Sequence, residues 1–243
     1  MHVFVGWDPR EAIAADVCKH SILKYSPDST VTFLRQSSLR EAGLYKRKWH
    51  YEGHQYVDDI DGKPFSTQFS FTRFLTPILA KKLGITEGWV LFIDCDFLAT
   101  TNVNKLLDEL DDSKALACVK HHFEPLKQEK MDGMAQEPYF RKNWSSFMAF
   151  NMSHPSTQKL TLEMVNTWKG SDLHAFKWLK DDEIQGVDSD WNYLAAREYH
   201  GTPHVPEGFI HYTWGMPFMK GYEYCELSDY WFSYFGRMHL ASA

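Results

Sequence analysis

Five apolar residues in a row, Trp89-Val90-Leu91-Phe92-Ile93, run without a break into Asp94-Cys95-Asp96. A strand made from that run has no face to show to water, so it must lie between two covering layers. This selects an α/β architecture with helices on both sides of a parallel sheet. The run is also the longest strongly apolar stretch, and a membrane span needs about 18 such residues. No membrane span is expected.

The opening of the chain agrees. His2 to Gly6 reads as a strand, and Asp8-Pro9-Arg10-Glu11 carries an N-cap carboxylate, a Pro at the first helical position and a Glu at the third. Ala14, Val17, Cys18, Ile22 and Tyr25 keep helical spacing until Ser26-Pro27, and Thr30 to Leu34 is rich in β-formers. Strand, helix, strand is how a parallel sheet begins. Residues 36 to 65 predict a long loop with a short helix near Leu39 to Leu44, and the cluster Lys46-Arg47-Lys48 reads as part of a solvated loop. Thr67 to Leu83 predicts one helix, bent at Pro77 and closed by Gly84. Further on come a short helix at Leu106 to Leu110, strands at Ala115 to Val119 and Phe147 to Phe150, and a second long loop at 120 to 143. Helices are predicted around Leu160 to Trp168 and Val187 to Ala195.

No Gly/Ser/Pro linker divides the 243 residues, so one domain is expected over 1–220. The aromatic segment 221–243, with Tyr222, Tyr224, Tyr230, Trp231, Phe232, Tyr234 and Phe235, is expected to pack on that domain or on a partner subunit of a homo-oligomer. Its Glu223, Glu226 and Asp229, with no Lys or Arg from Tyr222 to Phe235, argue against a lipid surface. A net charge of −6 lacks the basic face that a nucleic-acid binder needs. Four scattered cysteines show no Cys-x-x-Cys pair, against a zinc knuckle or a disulfide framework. The start lacks a basic leader and an apolar signal core, so a cytoplasmic location is expected.

In extended backbone, residues two apart face the same way, so Asp94 and Asp96 can aim two carboxylates at one point. Asp-x-Asp arises by chance about once in a chain of this composition, and it occurs at 59/61, 94/96 and 188/190. Context separates the three. Asp59 and Asp61 lie in a polar loop and read as a solvated face. Asp188 and Asp190 open an apolar helix, where capping competes with function. Asp94 and Asp96 end a buried strand, where open α/β sheets place ligands and where two carboxylates call for a cation. Hard oxygen donors suit Mn²⁺ or Mg²⁺ bridging a diphosphate.

Asp94-Cys95-Asp96, with Arg73-Phe74-Leu75-Thr76-Pro77-Ile78-Leu79 upstream, resembles the retaining, metal-dependent nucleotide-sugar glycosyltransferases of the GT-A fold, particularly glycosyltransferase family 8. Four further blocks agree in order. Val3 to Asp8 is similar to that family's first strand and nucleotide-binding Asp, and Trp144-Ser145-Ser146-Phe147-Met148-Ala149-Phe150-Asn151 to its strand lining the donor sugar. Val187 to Leu194 is similar to its Asp-Gln-Asp-x-Leu-Asn block, with Ser189 in place of the amide, and His211-Tyr212-Thr213-Trp214-Gly215 to its late His-x-x-Gly block, with Gly215 displaced by one. The resemblance implies a GT-A (Rossmann-like) single domain, a mainly parallel central sheet flanked by helices. It implies metal ligation by Asp94, Asp96 and His211, with Mn²⁺ or Mg²⁺ as the ion. Donor binding falls to Asp8 at the nucleobase, Asp94 at the ribose, Cys95 beside it, Arg73 at Asp94 or the sugar, and Lys220 at the diphosphate. Asp188 and Asp190 are the catalytic pair orienting the sugar hydroxyls. The implied activity is transfer from a nucleoside-diphosphate sugar, UDP-hexose favoured, to a glycan or other hydroxyl acceptor, with retention and slow donor hydrolysis.

Two other readings compete. A strand ending in Asp-x-Asp also occurs in haloacid-dehalogenase phosphatases, although there it opens the fold, and a phosphoenzyme on Asp94 would mark that chemistry. The aromatic excess fits a non-catalytic carbohydrate-binding protein as well, which would bind free sugar without nucleotide or metal.

Overall fold

The computed structural model describes residues 1–121, 128–130, 134–136, 141, 143–199 and 201–240. β1 (His2–Trp7) ends at Asp8, whose carboxylate accepts the Arg10 N–H and opens a turn, Pro9–Glu11, that winds into α1 (Ala12–Tyr25). β2 (Thr30–Arg35) returns parallel to β1. The stretch expected to be a loop is structured. α2 (Gln36–Glu41) leads to an antiparallel meander of β3 (Trp49–Glu52), β4 (Gln55–Asp58) and β5 (Pro64–Phe65). It shows no period-2 signal because β3 is mostly exposed on both faces and β5 is two residues long. Arg47, expected in solvent, is wholly buried.

The helix expected over Thr67 to Leu83 is shorter. A tight turn, Thr72–Leu75, runs into α3 (Thr76–Lys82). Pro77 sits in the first turn of α3, where a missing N–H costs nothing, so it starts the helix instead of bending one. β6 (Trp89–Ile93) and β7 (Phe97–Ala99) flank the Asp94–Asp96 turn, and a tight turn at Val103–Asp108 overlaps the helix expected at 106–110. β8 (Leu116–Cys118) follows. Within the second expected loop, β9 (Gln128–Lys130) and β10 (Met134–Gln136) pair antiparallel, and most of the remainder of 120–143 lies outside the described residues.

β11 (Phe147–Asn151), α4 (Leu162–Thr167), α5 (Gly170–His174) and β12 (Ile184–Gly186) come next. The helix expected over Val187 to Ala195 is a turn, Ser189–Asn192, running into β13 (Tyr193–Leu194). Its apolar spacing has another cause: Trp191 enters one core and Ala195 a different one. β14 (Phe209–His211) and α6 (Ser228–Leu240) complete the described chain. Gly208, just ahead of β14, passes so close that a Cβ there would lie 2.2 Å from the Asp190 carbonyl oxygen.

The central sheet runs β12-β8-β11-β6-β1-β2, with β11 reversed against both its neighbours and the other pairings parallel. Val90, Leu91, Phe92 and Ile93 are wholly buried in its middle, as an all-apolar strand requires. A second, three-stranded sheet orders β13-β14-β7. Its β7·β14 pairing is antiparallel and sets His211 opposite Phe97. The main core surrounds the central sheet, and a separate one joins Ala14 and Val17 of α1, Leu98 and Ile210 of the small sheet, and Trp231 and Tyr234 of α6. The aromatic tail thus packs on the first helix of its own chain, where the Tyr234 hydroxyl lies 2.7 Å from that of Tyr25 and accepts from Lys24 Nζ at 3.0 Å. All four cysteines are buried and free. No helix among the described residues is long and apolar enough to cross a membrane.

Candidate active site

β6 delivers Asp94 to the carboxyl edge of the sheet, and the Asp94 N–H donates to the Ser146 carbonyl at 3.0 Å, tying the strand end to the turn before β11. Asp96 follows two residues on. His211 arrives from a distant part of the chain through register alone: β14 lies against β7, and the next N–H, of Tyr212, donates to the Asp96 carbonyl at 3.0 Å. One ligand atom from each of Asp94, Asp96 and His211 falls within 4.8 Å of the others. Asp94 and Asp96 keep 13% and 15% of their side chains accessible, so an ion could enter, while His211 is at 2%. His211 Nε2 is buried, makes no hydrogen bond and stands 3.3 Å from Asp96 Oδ2. Two carboxylates and an imidazole nitrogen fit Mn²⁺ or Mg²⁺.

Arg73, in the turn before α3, is buried and meets Asp94 with its two terminal guanidinium nitrogens, Nη1 at 3.1 Å from Oδ1 and Nη2 at 3.3 Å from Oδ2. Its Nη1 also donates to the Ser145 carbonyl at 2.8 Å, and Nε to the Phe69 carbonyl at 3.3 Å. A carboxylate held by a fixed arginine keeps one orientation.

Arg73, Asp94 and Asp96 border a cavity of about 570 Å³, lined also by Glu11, Asp61, Lys63, Ser145, Ser146, Lys169, His174 and Thr213. Asp61, read from sequence as a solvated residue, accepts the Gly170 N–H at 2.9 Å and so anchors the start of α5 in that wall. Glu11 is pushed up to about 8, first by burial and then by the charges of Asp96 and Asp8. Burial drives His174 well below its ordinary value, with Arg73 and Arg47 adding repulsion, so its ring is neutral at physiological pH. His174 Nδ1 lies 2.7 Å from Ser145 Oγ, and its ring packs edge-on against Phe74. The cavity thus joins an ion-binding corner to a wall that offers the neutral Ser145–His174 pair beside the cations Lys63 and Lys169, a combination suited to a hydroxylated ligand carrying a diphosphate.

The remaining sequence-derived residues stand elsewhere. Asp8 is fully buried, and its two oxygens accept the N–H, Nε and Nη2 of Arg10 and the N–H of Gln68. Cys95 is buried, with its thiol donating to Glu11 Oε2 at 3.3 Å. Lys220 is exposed and outside the cavity wall. Asp188 accepts the Asp190 N–H at 2.8 Å as an N-cap, and Asp190 accepts the Glu207 N–H at 2.8 Å and meets His204. Sequence reasoning missed Glu11 as a wall residue, His174 and Asn192. Glu11 reads as a helix-start residue, and His174 lies in a segment without pattern.

No protein-family model matches the chain. Protein CDI of Arabidopsis thaliana is 41% identical over 232 residues, covering 94% of this chain and 83% of its own. Among solved structures, the glycosyltransferase GlyE of Streptococcus pneumoniae TIGR4 superposes with a TM-score of 0.58 at 17% identity, covering 96% of this chain; the chain spans 59% of GlyE. An active-site mutant of LgtC superposes with a TM-score of 0.57 at 16% identity, over 98% of this chain and 96% of that one. At such identities the likeness is one of fold, and that fold is GT-A, as the sequence blocks imply.

Proposed function

The chain belongs to the family of Protein CDI of Arabidopsis thaliana, and from its GT-A frame and the Asp94, Asp96 and His211 group we propose that it moves a hexose from a nucleoside-diphosphate sugar, UDP-hexose first among them, to an acceptor hydroxyl. The observation that carries this reading is the meeting of His211 with Asp94 and Asp96, the two carboxylates that line the cavity. Those residues would hold Mn²⁺, or Mg²⁺ as second choice, and the ion would supply Lewis-acid stabilisation of the departing diphosphate, worth several kcal/mol. Arg73 keeps Asp94 from rotating. Ser145 and neutral His174 are suited to holding sugar hydroxyls, since neither carries a charge that must be desolvated. Glu11, whose burial disfavours its charged form, lines the same cavity. Retention would place attack on the face the diphosphate leaves, with a phosphate oxygen taking the acceptor's proton. In this scheme Asp8, which holds Arg10 and Gln68, would act at the nucleobase, and Asp188 and Asp190, which brace the turn at Ser189–Asn192, would orient the sugar hydroxyls.

Calorimetric titration with UDP tests the reading. Binding should tighten about tenfold or more on replacing chelator with Mn²⁺, a gain of about 1.4 kcal/mol or more, and Asp96→Asn should remove the difference. Equal affinity with and without Mn²⁺ would refute it. A panel of nucleotide sugars, scored for nucleotide release, then identifies the donor through slow hydrolysis.

A further inference from the structure

Behind His211 lies a side chain that meets neither cavity nor solvent. Asn192 is wholly buried, and its amide is oriented by its neighbours. The Ser146 hydroxyl donates to the Asn143 carbonyl at 2.6 Å, so its proton is spent and its oxygen is left as an acceptor. Asn192 Nδ2 lies 3.1 Å from that oxygen and 3.2 Å from the same Asn143 carbonyl. With two acceptors on one side, the NH₂ must face them and Oδ1 must face the other way. Oδ1 is then 2.7 Å from His211 Nδ1. A carbonyl-type oxygen can only accept, so in neutral His211 the proton sits on Nδ1 and the lone pair on Nε2. The opposite tautomer would set two lone pairs against each other across 2.7 Å. Ring orientation is fixed as well, because His211 stacks on Phe97 with centroids 4.3 Å apart.

We propose that Asn192 is the positioning residue that selects the Nδ1–H tautomer of His211 and thereby presents Nε2 to a divalent cation beside Asp94 and Asp96. This rests on the metal reading above and adds the device that makes His211 a ligand. Outer groups that hold a histidine's second nitrogen commonly govern metal affinity by about 10–100-fold. Asn143 has a left-handed backbone, φ 63°, which aims the carbonyl that receives both Ser146 and Asn192.

Two readouts on the full chain test the proposal. Imidazole-nitrogen NMR of metal-free protein, with His211 assigned by its loss in His211→Asn, should find Nδ1 protonated whether the ring is neutral or, beside Asp96, charged; an Nδ1 without a proton overturns the proposal. Mn²⁺ affinity, followed by the electron-paramagnetic signal of the free ion, should fall about 10–100-fold in Asn192→Leu. Equal Mn²⁺ affinity in wild type and Asn192→Leu overturns the role of Asn192 while leaving the metal site standing. Wild-type protein that binds no Mn²⁺ overturns the metal reading itself, and this role with it.

Discussion

Glu11 is a carboxyl group held where a negative charge is unwelcome, fully buried between Asp8 and Asp96. Its ordinary value of 4.5 rises to about 8 on folding, so between those limits the folded chain binds a proton that the unfolded chain has lost. Stability therefore falls as pH rises through that window. In metal-free protein, Glu11→Gln should flatten the decline of melting temperature between pH 5 and 8; an unchanged slope would show that Glu11 ionises freely. How far single residues can be read depends on what defines their surroundings. Asp94 and Asp96 are legible because an apolar strand announces its own end. His211 is not legible from its neighbours, since only the register of β14 on β7 brings it to Asp96. Arg47 misleads in the other direction: a Lys-Arg-Lys run looks solvated, yet its middle member is buried over the Phe71 ring.

Among the elements, the meander β3–β5 owes its place to that arginine. Arg47 donates through Nε and Nη2 to Asp58 at 2.7 and 2.6 Å, and through Nη1 to the Trp168 carbonyl just past α4 at 2.6 Å. One side chain thus clamps β4 to the α4 end of the domain. Removing one partner of such a buried pair leaves an uncompensated charge and costs about 3–5 kcal/mol. Arg47→Met should lower the unfolding free energy from urea titration by that amount, and Arg47→Met with Asp58→Leu should recover much of it. A double variant as weak as the single one would show that the pair's charge is not the issue. The central strands and α1 are readable because their burial is one-sided or complete, which leaves a period in the sequence. The meander and the Ser189–Asn192 turn are not, because their side chains serve several surfaces within a few residues.

The whole molecule has two cores, and the smaller one depends on segments from opposite ends of the described chain. Trp231 is 1% exposed between Phe218 and Phe235, in the cluster that covers α1 and the small sheet. Trp231→Ala should cost about 3–5 kcal/mol, read as a lowered melting temperature with the sheet's far-ultraviolet signal retained below it. No loss would mean that α6 contributes little to the domain. β7 and β14 belong to that same cluster, so loosening α6 also loosens the pairing that carries His211. The arrangement bears on how the protein is made. α1 leaves the ribosome well before its mate on one side, α6, which is translated some two hundred residues later, about 10–40 s at ordinary elongation rates. Until then the nascent chain carries an uncovered apolar flank on its first helix, which makes that helix a natural handhold for chaperones during synthesis.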